Sequence, residues 1–126
     1  MTMKFFKCSK CGSFVIKINN AACSPVCCGE PMTELIPGTS DGAHEKHVPV
    51  VTVDGSTVTV QVGEVEHPML DEHYIQYIWL ETDKGFMQKD LKPGEKPCAQ
   101  FVLADGEKAI AAYEFCNLHG LWKKEV

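Results

Sequence analysis

The chain has 126 residues, 44% of them hydrophobic and 23% charged, with a formal net charge of −5. That is long enough for one buried core plus a small appended module, and too apolar for global disorder. No apolar run of about 18 residues occurs, which excludes an ordinary transmembrane helix. All twelve basic residues are Lys, which disfavours nucleic-acid and phosphate surfaces built on Arg forks.

In chain order, Met1-Thr2-Met3-Lys4-Phe5-Phe6-Lys7 offers no apolar h-region and no cleavage site, so no secretory signal is expected. A reducing, cytoplasmic location follows as an expectation. The chain carries seven Cys and five His. Seven thiols cannot all pair within one chain, and in a reducing compartment clustered Cys usually bind metal. The turn-forming stretch Leu35-Ile36-Pro37-Gly38-Thr39-Ser40-Asp41-Gly42 reads as a linker between a small module, residues 1–37, and a main domain, residues 38–126. It separates five of the Cys from all five His, and a net charge of +2 from one of −7.

The main domain reads as β. Residues 48–53 end at Asp54-Gly55, a hairpin signal, and residues 57–62 follow in strict apolar–polar alternation. Residues 74–82 are aromatic and β-branched, with Asp83-Lys84-Gly85 as their turn, and Pro93-Gly94 marks another turn. Residues 98–103 and 108–115 flank Asp105-Gly106, a second hairpin signal, and residues 120–126 form a last strand. No segment shows a helical period. Six or seven short strands with close turns predict an all-β chain whose main domain is an antiparallel, immunoglobulin-like sandwich.

Two donor sets stand out. Cys8-Ser9-Lys10-Cys11 is a C-x-x-C, and Cys27-Cys28 follow after fifteen intervening residues. These four thiolates suit a tetrahedral S₄ site, with iron and zinc both open on spacing alone. A 37-residue module is too small to hold itself by core burial, and a metal supplies the missing folding energy. Adjacent Cys are unusual in zinc knuckles, because neighbours on an extended backbone point in opposite directions. Cys23 reads as a spare or packing thiol, with redox sensing as the alternative.

In the main domain, His47, His67, His73 and the Cys116-Asn117-Leu118-His119 C-x-x-H all fall at strand ends or in connections, where a sandwich can gather them at one edge. Imidazoles suit iron, copper or zinc, and one thiolate favours a redox metal. His44 reads as a solvent-exposed side chain and Cys98 as a small buried hydrophobe.

Cys8-x-x-Cys11 with Cys27-Cys28-Gly29-Glu30 resembles the desulforedoxin-type iron module. Glu45-Lys46-His47-Val48-Pro49, His67-Pro68-Met69, His73-Tyr74 and Cys116-Asn117-Leu118-His119-Gly120 resemble the catalytic domain of superoxide reductases. Together, and in order over essentially the whole chain, they are similar to the desulfoferrodoxin family, the two-iron form of that enzyme. The resemblance implies one iron held by Cys8, Cys11, Cys27 and Cys28. It implies a second, catalytic iron with His47, His67, His73 and His119 around it and Cys116 as axial thiolate. The implied reaction is one-electron reduction of superoxide to hydrogen peroxide, fed by a rubredoxin-type donor, in a homodimer. Lys46 is the implied electrostatic guide for the anion, and Glu45 the residue that covers the oxidised site. Rival readings are a closed two-iron electron carrier, a zinc-stabilised interaction module, and superoxide dismutation.

Overall fold

Short β-branched runs interrupted by Gly, Pro and Asp-Gly favour extended strands with tight turns, and half-apolar alternation then requires each strand to bury one face. The computed structural model describes residues 3–126. Met1 and Thr2, part of the stretch read as lacking a secretory signal, lie outside them. Strands dominate, and no helix among the described residues is long and apolar enough to cross a membrane. The chain divides into two compact units, Met1–Ile36 and Pro37–Val126.

In the first unit, β1 (Lys4–Lys7), β2 (Phe14–Lys17) and β5 (Thr33–Leu35) form a sheet in the order β2-β1-β5. β3 (Val26–Cys27) and β4 (Glu30–Pro31) form a separate two-stranded hairpin. The apolar cluster here is small, with Phe6, Cys8 and Met32 buried and Val15 and Cys27 packed against them, and Met3 and Phe5 are buried besides. So small a core cannot by itself offset the conformational entropy of some 36 residues.

The second unit contains a single helical turn, α1 (His44–His47), and seven strands. These are β6 (Pro49–Asp54), β7 (Thr57–Val62), β8 (Ile75–Thr82), β9 (Gly85–Asp90), β10 (Cys98–Val102), β11 (Ala109–Cys116) and β12 (Gly120–Glu125). They form an antiparallel three-stranded sheet, β10-β7-β6, and an antiparallel four-stranded sheet, β12-β11-β8-β9. Val58 and Val60 from one sheet and Ile78, Leu80 and Ala112 from the other meet in one core and are fully buried. Each such aliphatic side chain contributes about 1.5–3 kcal/mol by leaving water.

The hairpin predicted at Asp105-Gly106 is corrected. β10 pairs with β7 while β11 pairs with β8 and β12, so this turn carries the chain from one sheet to the other. The dipeptide supplies the positive φ at Gly106 that a tight turn needs, but it does not choose the strand's partner. That choice rests on burying alternate faces of both sheets. β9 and α1 are also additions. β9 is an edge strand of weakly alternating sequence, and α1 is too short to show a period.

Candidate metal centres

The first centre begins from the C-x-x-C turn after β1. Cys11 N–H donates to Cys8 Sγ at 3.4 Å, and Cys8 N–H to Ser13 O at 2.8 Å. Cys27 and Cys28 sit at the β3–β4 turn, whose central residues Cys28 and Gly29 have φ of 51° and 76°. Two consecutive positive φ values are the signature of a type I′ hairpin. They curl the backbone so that the neighbouring thiols stay on one side, with the sulfurs 3.9 Å apart. This resolves the adjacency problem that an extended backbone would pose.

Cys11 Sγ lies 3.5 Å from Cys27 Sγ, and all four sulfurs lie within 4.8 Å of one another. None of the seven Cys is in a disulfide. A tetrahedral ion with metal–sulfur bonds of about 2.3 Å separates its sulfurs by about 3.8 Å, which matches this cage. The Ser13 hydroxyl, with its own backbone group, brings Cys11 down to about 6, and backbone amides lower Cys8. Contacts with Cys11 raise Cys27, and push Cys28 up to about 12. The cage therefore shares protons among its thiols, and a metal must displace them.

The second centre lies at one end of the sandwich. His47 closes α1 immediately before β6, His67 follows β7, His73 precedes β8, Cys116 ends β11, and His119 lies in the β11–β12 turn. Antiparallel pairing puts the start of β6, β8 and β12 and the end of β7 and β11 at the same edge. The four imidazoles form a closed square in the order His47, His67, His73, His119. Neighbouring ring centroids are 4.6–4.9 Å apart and neighbouring planes are turned by 75–89°.

The hydrogen bonds select the nitrogens that face inward. His47 Nδ1–H donates to Ala43 O and His67 Nδ1–H to Pro68 O, each at 2.7 Å. Their Nε2 atoms are then bare acceptors, yet they face one another at 3.1 Å, and His119 Nδ1 lies 3.1 Å from His47 Nε2. His73 Nε2 is buried without a partner. Acceptors turned on one another need a cation between them. Four nitrogens at about 2.1 Å around an ion stand about 3.0 Å apart at the edges of a square. Cys116 Sγ completes the set, 3.5 Å from His67 Nε2 and 3.8 Å from His119 Nδ1. The five donor atoms lie within 4.8 Å of one another.

Burial shapes their chemistry. It drives His67 down to about 4 and lowers His47 and His73, which favours the neutral form of these three imidazoles that metal ligation requires. Burial raises the Cys116 thiol, opposed by backbone amides of Leu118 and His119 directed at its sulfur. Trp122 stacks on His47, with centroids 5.1 Å apart, and donates Nε1–H to His119 O at 3.0 Å. Glu114 is completely buried, and burial raises its carboxyl well above the usual range.

Glu45 and Lys46 are exposed on α1, beside the buried His47. His73 is lowered first by burial, and the Lys46 charge adds a smaller contribution in the same direction. His44 is exposed, with its ring edge-on to Trp122. Cys23 is exposed and Cys98 only half-buried, and neither joins a donor group. Sequence reasoning missed the supports. Residues 38–42, read as linker, pack on the second site. Gly38 N–H donates to Leu121 O at 2.9 Å, and a Cβ on Gly42 would meet His47 at 3.1 Å and His119 at 3.2 Å. Gly63 lies flat against the backbone of Glu45 and Lys46. An isolated Gly next to a strand was the only signal available.

The Desulfoferrodoxin family model matches residues 39–125, and the model for the desulfoferrodoxin N-terminal domain matches residues 1–35. Desulfoferrodoxin of Nitratidesulfovibrio vulgaris is 44% identical over 122 residues, covering 97% of this chain and 95% of the relative. Superoxide reductase of Pyrococcus furiosus is 34% identical over 116 residues, covering 70% of this chain and 92% of the relative. The crystal structure of the superoxide reductase from Treponema pallidum superposes with a TM-score of 0.84 at 39% identity, covering 99% of this chain and 100% of that one.

Proposed function

The chain belongs to the desulfoferrodoxin family, and from that premise we propose that it is a superoxide reductase acting in defence against oxidative damage. Superoxide, one electron and two protons give hydrogen peroxide. The observation that carries this reading is the closed square of four imidazoles with a single thiol against it. Residues 1–37 are assigned as the desulforedoxin-like module, with Cys8, Cys11, Cys27 and Cys28 holding one iron. Residues 38–126 are assigned as the catalytic domain, with His47, His67, His73, His119 and Cys116 holding the other. When bound, the irons would supply one-electron redox chemistry, the second of them for the reduction of superoxide.

The remaining work falls to the chain. The main domain carries a net charge of −7, so its far field repels an anion. The Debye length is about 8 Å at physiological salt, and within that range a local cation outweighs distant carboxylates. Lys46 is the residue assigned to draw superoxide in, and its Nζ also orders the water that delivers a proton. Glu45 covers the site between turnovers. The Leu118 and His119 amides temper the electron-rich Cys116 sulfur. A rubredoxin-type carrier is the proposed electron donor, and the proposed working form is a cytoplasmic homodimer.

The test supplies superoxide at a known rate to the iron-loaded protein with a reduced rubredoxin-type carrier. One carrier electron consumed per superoxide, without O₂ release, is expected. O₂ release without reductant consumption would identify a dismutase instead. A site that azide leaves spectrally unperturbed would identify a closed electron carrier.

A further inference from the structure

Two of the four imidazoles are braced by hydrogen bonds that leave their rings little freedom. His47 and His67 donate Nδ1–H to carbonyls at 2.7 Å, while His119 is held through its backbone carbonyl, which receives the Trp122 indole N–H. His73 is different. No ring nitrogen of His73 makes a hydrogen bond among the described residues, and its Nε2 is buried and bare. Its position is set by its backbone.

That backbone is held from two sides. On one side, Leu70 and His73 form an isolated antiparallel bridge, with N–H to O distances of 2.9 and 3.1 Å. On the other side stands Asn117. Asn117 N–H donates to Tyr74 O at 3.2 Å, Asn117 Oδ1 accepts Tyr74 N–H at 2.9 Å, and Asn117 Nδ2–H donates to Glu72 O at 3.1 Å. The two residues flanking His73 are thus both tied to one side chain. The β11–β8 ladder shifts register between Phe115 and Cys116, so regular pairing lapses where the ligands begin. The Asn117 amide acts in place of the missing strand neighbour, offering one acceptor and one donor as a backbone peptide would.

We propose that Asn117 is a positioning residue that fixes His73 against the Cys116–His119 turn and so closes the imidazole square around the catalytic iron. The proposal rests on reading the five donors as that iron's site. Asn117 lies between two ligands in sequence and ties a third to them, so its loss opens one corner without removing any donor. Partners that orient metal ligands typically account for 10–100-fold in metal affinity.

The test compares the iron-loaded protein with Asn117→Ala and Asn117→Asp. Asn117→Asp keeps the acceptor for Tyr74 N–H but loses the donor to Glu72 O. Ferrous iron is titrated against graded chelators, with thiolate-to-iron absorption and EPR of the oxidised second site recorded alongside. The Cys₄ iron serves as an internal reference, and urea unfolding of the metal-free chains measures the fold alone. Asn117→Ala should weaken iron at the second site by 10–100-fold and alter its spectra, with Asn117→Asp intermediate and the Cys₄ iron unchanged. Unchanged affinity and spectra in Asn117→Ala overturn the proposal, even if the metal-free fold is weakened. Should Asn117→Ala fail to fold, unchanged values in Asn117→Asp overturn it equally. Failure of the unmodified chain to take a second iron would overturn the metal reading itself and this proposal with it.

Discussion

Gly63→Ala tests how closely the fold positions Glu45, Lys46 and His47. The backbone at Gly63 lies outside the left-handed region, so a methyl group is opposed by space alone. A Cβ there would stand 2.6 Å from Glu45 O and 2.7 Å from Lys46 C. Ordinary contacts begin near 3.4 Å, so the α1 turn must move by about 0.8 Å or β7 must yield at its end. The same carbonyl accepts Val65 N–H at 2.9 Å, a bond worth about 1 kcal/mol. Overpacking adds about 1–3 kcal/mol, and the reduced freedom of the unfolded chain returns about 0.4–1 kcal/mol. A net loss of about 1–3 kcal/mol is expected, or about 4–8 °C in melting temperature for each kcal/mol. Because the displaced segment carries Lys46, capture of superoxide should also slow while the Cys116 absorption is retained. Thermal unfolding and pulse radiolysis measure the two effects. Unchanged stability refutes the contact argument, and a destabilised variant with an unchanged capture rate refutes the positioning argument.

Lys46→Met should slow superoxide capture by roughly tenfold and flatten its dependence on ionic strength; an unchanged rate constant and salt slope would sink the steering role. Cys11→Ser should lose iron from the first site and keep full turnover at the second, measured by carrier oxidation, whereas lost turnover in an intact fold would make the Cys₄ iron an obligatory relay. The metal-free chain should lose stability as pH falls from about 6.5 towards 4. His67 has its folded value near 4, below the unfolded 6.5, so the unfolded chain binds more protons in that window and stability rises with pH. His47 and His73 shift in the same direction. Glu114, raised by burial, opposes them, but it is one carboxyl against three imidazoles. His67 alone contributes up to about 3 kcal/mol. Urea midpoints that stay level or rise on acidification would contradict this.

Legibility differed between the two centres. At the first, the C-x-x-C turn and the adjacent pair announce the donors, but the cage depends on the positive φ of Cys28. A non-Gly residue in that conformation is not readable from composition. At the second, the alternation of residues 57–62 and the β-branched run of residues 75–82 make the strands plain. The turn at Asp105-Gly106 misleads because a hairpin signal is local while strand pairing is not. Residues 38–42 look like linker because Gly, Ser and Asp favour turns, yet Gly42 packs so closely that a Cβ would stand 3.1 Å from His47 and 3.2 Å from His119, tighter than ordinary contact.

By itself, the amino-acid sequence determined the chemistry available to this protein. Four thiols, four imidazoles with one further thiol, and a lysine next to the first of those histidines are properties of residue type and spacing; spacing alone leaves the metal open, and the family resemblance these residues carry implies two irons and an anionic substrate. Only the tertiary structure decided which donors meet and how. Five donors from 47 to 119 converge because two sheets, packed to bury their apolar faces, bring five strand ends to one edge. The Ala43 and Pro68 carbonyls then select the lone pairs that face inward. Local preferences act over a few residues. A metal site assembled across 72 positions depends on the packing of the whole sandwich.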